Sequence, residues 1–176
     1  MKKLIGLAVA LALLGLTGTV WADSYMRVQD GSTLGPRLTV TVFNDSGSTL
    51  TSGAVVVWDN DDTEFDRTGY PYVTTTTGAD SPWVAGVMLN DSCPDQTLCE
   101  IGVYGPTRTN MRGTYAEDTL VGTQTTAGTA DDYGTGANTC ALGMLMEDRN
   151  LDTGGACSTN ANITCPEMVF VNVNCQ

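Results

Sequence analysis

The chain contains no histidine. Serine–histidine and cysteine–histidine nucleophile pairs are therefore excluded, as is haem attachment through a Cys-x-x-Cys-His motif. Lysine is nearly absent too: Lys2 and Lys3 are the only two, side by side at the start. There is no Gly-x-x-x-x-Gly-Lys phosphate loop, and no glycine cluster in the strand-to-helix dinucleotide pattern. Aromatic residues make up 7% of the chain, and no stretch of 10–15 residues carries a helical apolar period. What chemistry remains is that of carboxylates, tyrosines and a bound metal. Twenty acids give no means of choosing the two that glycoside hydrolysis needs across a cleft, so the reading is of a protein that is not an enzyme.

The two lysines have a use. They precede an apolar run from Leu4 to Leu16, and Val20-Trp21-Ala22 then supplies the small or β-branched groups of a signal-peptidase cut. Residues 1–22 are thus expected to be a cleavable signal peptide. The run is shorter than the roughly 20 residues of a membrane span, and no cysteine follows it to accept lipid. The mature protein is expected to be secreted and extracellular or cell-surface, free of the membrane after cleavage; the same signal would serve a periplasmic protein. Cleavage leaves six arginines against 20 acids over residues 23–176, a net charge of −14. Such a surface repels nucleic acid, whose binding depends on Lys and Arg neutralising phosphate, and attracts divalent cations.

All six cysteines (Cys93, Cys99, Cys140, Cys157, Cys165 and Cys175) lie beyond the signal. An even count in an exported chain reads as three disulfides. Zinc is disfavoured because the spacings exceed Cys-x₂₋₄-Cys and no histidine is present. Two short loops suggest Cys93–Cys99 and Cys157–Cys165, which leaves Cys140 with Cys175.

Short β-type runs punctuated by Gly, Asn, Asp or Pro recur through the mature chain. Leu38–Phe43 alternates, with Leu38, Val40 and Val42 on one face. Ala54–Trp58 is continuously apolar, as a strand buried on both faces would be. Tyr70–Thr77, Trp83–Leu89, Glu100–Tyr104, Thr119–Thr125, Ala141–Met146 and Met168–Cys175 follow. About eight short strands predict an all-β fold, a single compact barrel or sandwich stapled by disulfides. Gly86, Gly102, Gly122 and Gly143 inside these runs predict bulges or tight bends. Residues 23–37 read as an extended N-terminal arm, 38–176 as the β domain, and 131–139 and 150–161 as exposed loops.

The densest acidic stretch is Asp59-Asn60-Asp61-Asp62-Thr63-Glu64-Phe65-Asp66. Its alternate oxygen ligands suit calcium, with Asp59, Asp61, Asp62 and Asp66 the candidate set. An EF-hand is excluded, because Glu64 occupies the glycine position and Tyr70 that of the bidentate acid. The competing reading is a solvated hairpin loop. Asp131-Asp132 and Glu147-Asp148 read as solvated turn charge. Trp58, Trp83, Tyr70, Tyr72, Tyr104, Tyr115 and Tyr133 could stack on sugars. Trp58 and Trp83 lie in apolar runs and are expected in the core, whereas Tyr115 and Tyr133 are expected to face a ligand. Asn44-Asp-Ser46, Asn90-Asp-Ser92 and Asn162-Ile-Thr164 fit the N-glycosylation pattern but read as turns.

Five motifs in order, Ser52–Val57, Trp83–Val87, Ile101–Gly105, Leu120 with Thr125–Ala130, and Ala141–Leu145, resemble small β-barrel modules of phage capsid-decoration and fibre proteins and of bacterial surface fibres. The resemblance spans residues 52–147. It implies a stacking structural module without catalytic residues; the signal peptide, the cysteines and the extended ends depart from it. Together these readings lead us to expect an extracellular structural protein, a subunit of a surface coat, sheath or filament that self-associates into a homopolymer. The alternative expectation is a secreted carbohydrate- or surface-binding module, calcium-dependent if the acidic loop holds the ion, with surface glycans as partners.

Overall fold

The computed structural model describes residues 26–29, 36–60, 68–113, 115–134, 140–146 and 164–175, with backbone alone at 26–29 and 174–175. Ten strands form among them: β1 (Met26–Gln29), β2 (Arg37–Asn44), β3 (Val55–Trp58), β4 (Tyr72–Thr74), β5 (Val84–Met88), β6 (Leu98–Met111), β7 (Leu120–Thr123), β8 (Ala130–Asp132), β9 (Cys140–Leu145) and β10 (Cys165–Cys175). The expected all-β, disulfide-bearing barrel is what the chain forms.

The pairings close on themselves. The order β2-β4-β3-β5-β6 returns to β2, and the order β6-β10-β9-β7-β8 returns to β6. Each ring has five strands, and β6 belongs to both. Closure removes open edges that would otherwise pair with other chains. Each ring has its own core. Val42, Val56, Val73, Met88 and Ile101 fill the first; Met111, Val121, Leu142, Leu145 and Val169 fill the second. The continuous apolar strand at 55–57 is explained by this arrangement. Val56 points into the first core, and Val55 points the other way into the second. In β5 the pattern repeats, with Ala85 and Met88 serving the first core and Val84 and Val87 the second.

The two rings are copies of one design. Strands β2 to β6 have the same chain order, ring order and directions as β6 to β10, including one parallel pair in each, β2–β4 and β6–β8. The correspondence holds to the residue. Val87↔Gly102 and Met88↔Ile101 in the first ring match Met144↔Phe170 and Leu145↔Val169 in the second. Val55↔Val87 and Val56↔Gly86 match Leu120↔Met144 and Val121↔Gly143. Trp58↔Val73 matches Thr123↔Ala130. Bonds outside the ladders repeat as well. Leu89 N–H donates to Glu100 O at 3.0 Å as Met146 N–H donates to Met168 O at 2.9 Å. Gly53 N–H donates to Met88 O as Asp118 N–H donates to Leu145 O, both at 2.9 Å. Gly53 and Asp118 also share a left-handed conformation, φ 88° and 64°, which explains glycine at one and a short polar residue at the other. We call residues 37–104 unit 1 and residues 104–175 unit 2.

Two glycines at equivalent positions let neighbouring backbones approach closely. A Cβ at Gly86 would collide with the carbonyl oxygen of Gly102, and one at its counterpart Gly143 with that of Phe170. The register shifts beside Gly86, between Val56 and Val57, so the expected bulge is present there. Asn44 has no exposed surface; its amide donates to Ser48 O and Cys93 O, both at 2.9 Å, and its Oδ1 accepts from Ser46 N–H. It is a turn residue, as expected.

Several boundaries differ from expectation. β6 does not stop at Tyr104 but runs on through Gly105-Pro106 to Met111. Proline is tolerated because β6 changes partners there: β2 pairs with 98–104 and β10 with 104–111. β4 is shorter than Tyr70–Thr77, and Ala130–Asp132 is a strand where a loop was expected to begin. Within the N-terminal arm, β1 pairs antiparallel with β2 from Met26↔Val40 to Gln29↔Arg37.

Candidate functional site

The outer face of unit 2 gathers several exposed apolar side chains. Leu120 pairs with Met144 across β7–β9, and Met144 with Phe170 across β9–β10, so three apolar side chains form one row over three strands. Directly paired residues lie on the same face of a sheet. Phe170 then meets Tyr104 of β6 edge-on, with ring centroids 5.2 Å apart. Leu120, Met144, Met146 and Tyr104 are all well exposed. A cleft of about 200 Å³ opens beside the row, lined by Leu120, Tyr133, Met144, Phe170 and Asn172 among others. No charged side chain among the described residues lines it.

A polar seam ties the two units together nearby. The connection from β4 to β5 crosses onto β7. Thr123 Oγ1 accepts from Ser81 N–H at 2.7 Å and donates to Gly78 O at 2.9 Å, and Asp80 N–H donates to Thr123 O at 2.9 Å. Asp80 Oδ2 accepts from Gly134 N–H at 2.8 Å. Its carboxylate occupies the space a side chain at Gly122 would need, and Gly122 pairs directly with Asp131. Asp80 thus stands as the cross-strand neighbour of Asp131. Its Oδ1 is buried with no hydrogen-bond partner among the described residues. Burial, with the charges of Asp132 and Asp80 added, pushes the Asp131 carboxyl up to about 7, against a hydrogen bond from Gln124 that acts the other way. Asp131 is therefore a partly buried strand residue, not the solvated turn charge expected from the sequence.

The other sequence candidates fall as follows. Asp59 is half-buried, and its N–H donates to Tyr72 O at 3.0 Å; Asp61, Asp62 and Asp66 lie outside the described residues. No group of three or more Cys, Asp or Glu among the described residues could hold a metal ion. Cys93 and Cys99 form a disulfide with Cα atoms 6.0 Å apart. Cys140 and Cys165 are disulfide-bonded, and the backbone register places Cys175 opposite Cys140; Cys157 lies outside the described residues. Tyr133 lines the cleft. Tyr115 packs on the second core and donates its hydroxyl to Arg112 O at 2.9 Å. Tyr72 is buried and packs on Phe43, centroids 4.8 Å apart. Trp58 packs on the first core as expected. Trp83 does not: it is 55% exposed, because it stands in the turn before β5 and not in the strand itself. No protein-family model matches the chain, and no curated protein matches its sequence.

Proposed function

We propose that the mature chain is a structural subunit of an extracellular coat, sheath or filament. The observation that carries this reading is how the two units meet. Val55, Val84 and Val87 on the outside of unit 1 pack into the core of unit 2, so the contact joins two unlike surfaces. Contacts of that kind are heterologous, and a heterologous contact that does not close into a ring extends into an array. The signal-like N-terminus, the Cys93–Cys99 disulfide and the lack of histidine agree with a structural role outside the cell. The resemblance to decoration and fibre modules points the same way.

Purified mature protein should form ordered polymers visible by negative-stain electron microscopy as its concentration rises. Protein that remains monomeric at millimolar concentration would refute the proposal. A glycan-binding module is the competing reading, favoured by Tyr133 and Phe170 at the cleft, since aromatic rings are where sugars stack. Binding on a glycan array by a monomeric protein would decide for it.

A further inference from the structure

The duplication lets each surface of unit 2 be compared with its counterpart in unit 1. The register equates Leu120 with Val55 and Met144 with Val87, and the shared glycine, Gly143 for Gly86, equates Ala141 with Val84. In unit 1 these residues are covered: Val55 is 2% exposed and Val87 0%. What covers them is unit 2, whose core they complete. In unit 2 two of the three positions are open, Leu120 47% and Met144 41% exposed, while the smaller Ala141 is 8% exposed and lines the floor of the cleft between them. The apolar row beside the cleft is thus the surface on which a third unit would sit, and the described residues form two.

We infer that this face binds unit 1 of a second copy of the chain, repeating between molecules the apolar part of the contact that unit 1 and unit 2 make within one, without the shared strand. The inference rests on the structural reading above and names its partner. The mating end can be identified by the same equivalence. In unit 2 the end that receives unit 1 includes Thr123 and Cys140, which bond to the Asp80–Ser81 connection. Their counterparts in unit 1 are Trp58 and Trp83, themselves joined by Trp58 N–H to Trp83 O at 2.8 Å. Trp83, the most exposed large apolar residue described, therefore lies at the receiving end, and Leu120 and Met144 at the donating end. Tryptophan is enriched among the residues that dominate such contacts. Copies carrying −14 each repel over most of their surface, and the row of Leu120, Met144 and Phe170 is uncharged.

The two ends can be blocked separately. Leu120→Glu with Met144→Glu places charge on the donating face, and Trp83→Glu does so at the receiving end; all three residues are exposed, so folding is not compromised. Where the wild type polymerises, each variant alone should sediment as a monomer. An equimolar mixture should form dimers and nothing larger, since only one good face and one good end remain. If the wild type polymerises and the blocked variants do so equally well, the interface is wrong while the structural role stands. If the wild type stays monomeric at millimolar concentration, the structural role fails and this interface fails with it.

Discussion

Asp131 is where the seam between the units should answer to pH. Its carboxyl, raised to about 7, holds a proton in the folded chain that the unfolded chain releases near pH 4. Stability from this group is therefore fully present below about pH 4, falls as pH rises towards 7, and is level above that. The group is only partly buried, so solvent screening keeps the effect modest, on the order of a few degrees in melting temperature. Asp131→Asn cannot ionise and should melt with a smaller drop between pH 5 and pH 8 than the wild type; an equal drop would show that Asp131 is not the group responsible. Nothing in the sequence marks this residue. Asp131-Asp132 looks like any acidic pair before a glycine-rich stretch, and its burial depends on Asp80, 51 positions earlier, folding over Gly122. Trp83 teaches the same lesson in reverse: a tryptophan heading an apolar run reads as core until a turn one residue before the strand faces it outward.

At the level of strands, the duplication predicts the remaining cystines. Cys93 lies in the connection from β5 to β6 and Cys99 one residue into β6; Cys165 likewise opens β10, two positions before the counterpart of Cys99, and Cys157 precedes it by a similar stretch of chain. The repeat thus supports Cys157–Cys165, and Cys175 stands across from Cys140 in the ladder. Non-reducing peptide mapping should recover Cys93–Cys99, Cys157–Cys165 and Cys140–Cys175. A Cys140–Cys157 peptide would break the correspondence. Strand identity was largely legible in the sequence because alternation and β-branched runs mark half-buried strands directly. The duplication was not legible. Equivalent positions carry unlike residues, Trp58 for Thr123 and Thr74 for Asp131, since one ring's outer surface is buried where the other's is open. β6 hid it further: a Gly-Pro pair that ordinarily ends a strand here marks the passage from one ring to the next.

For the whole molecule, the proposed interface would give an array with a period of half a chain. Unit 2 is built on unit 1 by a shared strand and an apolar contact, and its own outer face presents that contact again. A single chain is then two steps of a series that further copies extend. If this is right, polymers should repeat structurally at the spacing of one unit and not only at that of one chain. Images of polymers of the mature protein provide the most direct test. Their averaged power spectra should show a strong reflection at half the chain-to-chain spacing, because the apolar contact between chains repeats the one within a chain. Polymers with only the full-chain spacing, or copies joined side by side through other surfaces, would contradict the account.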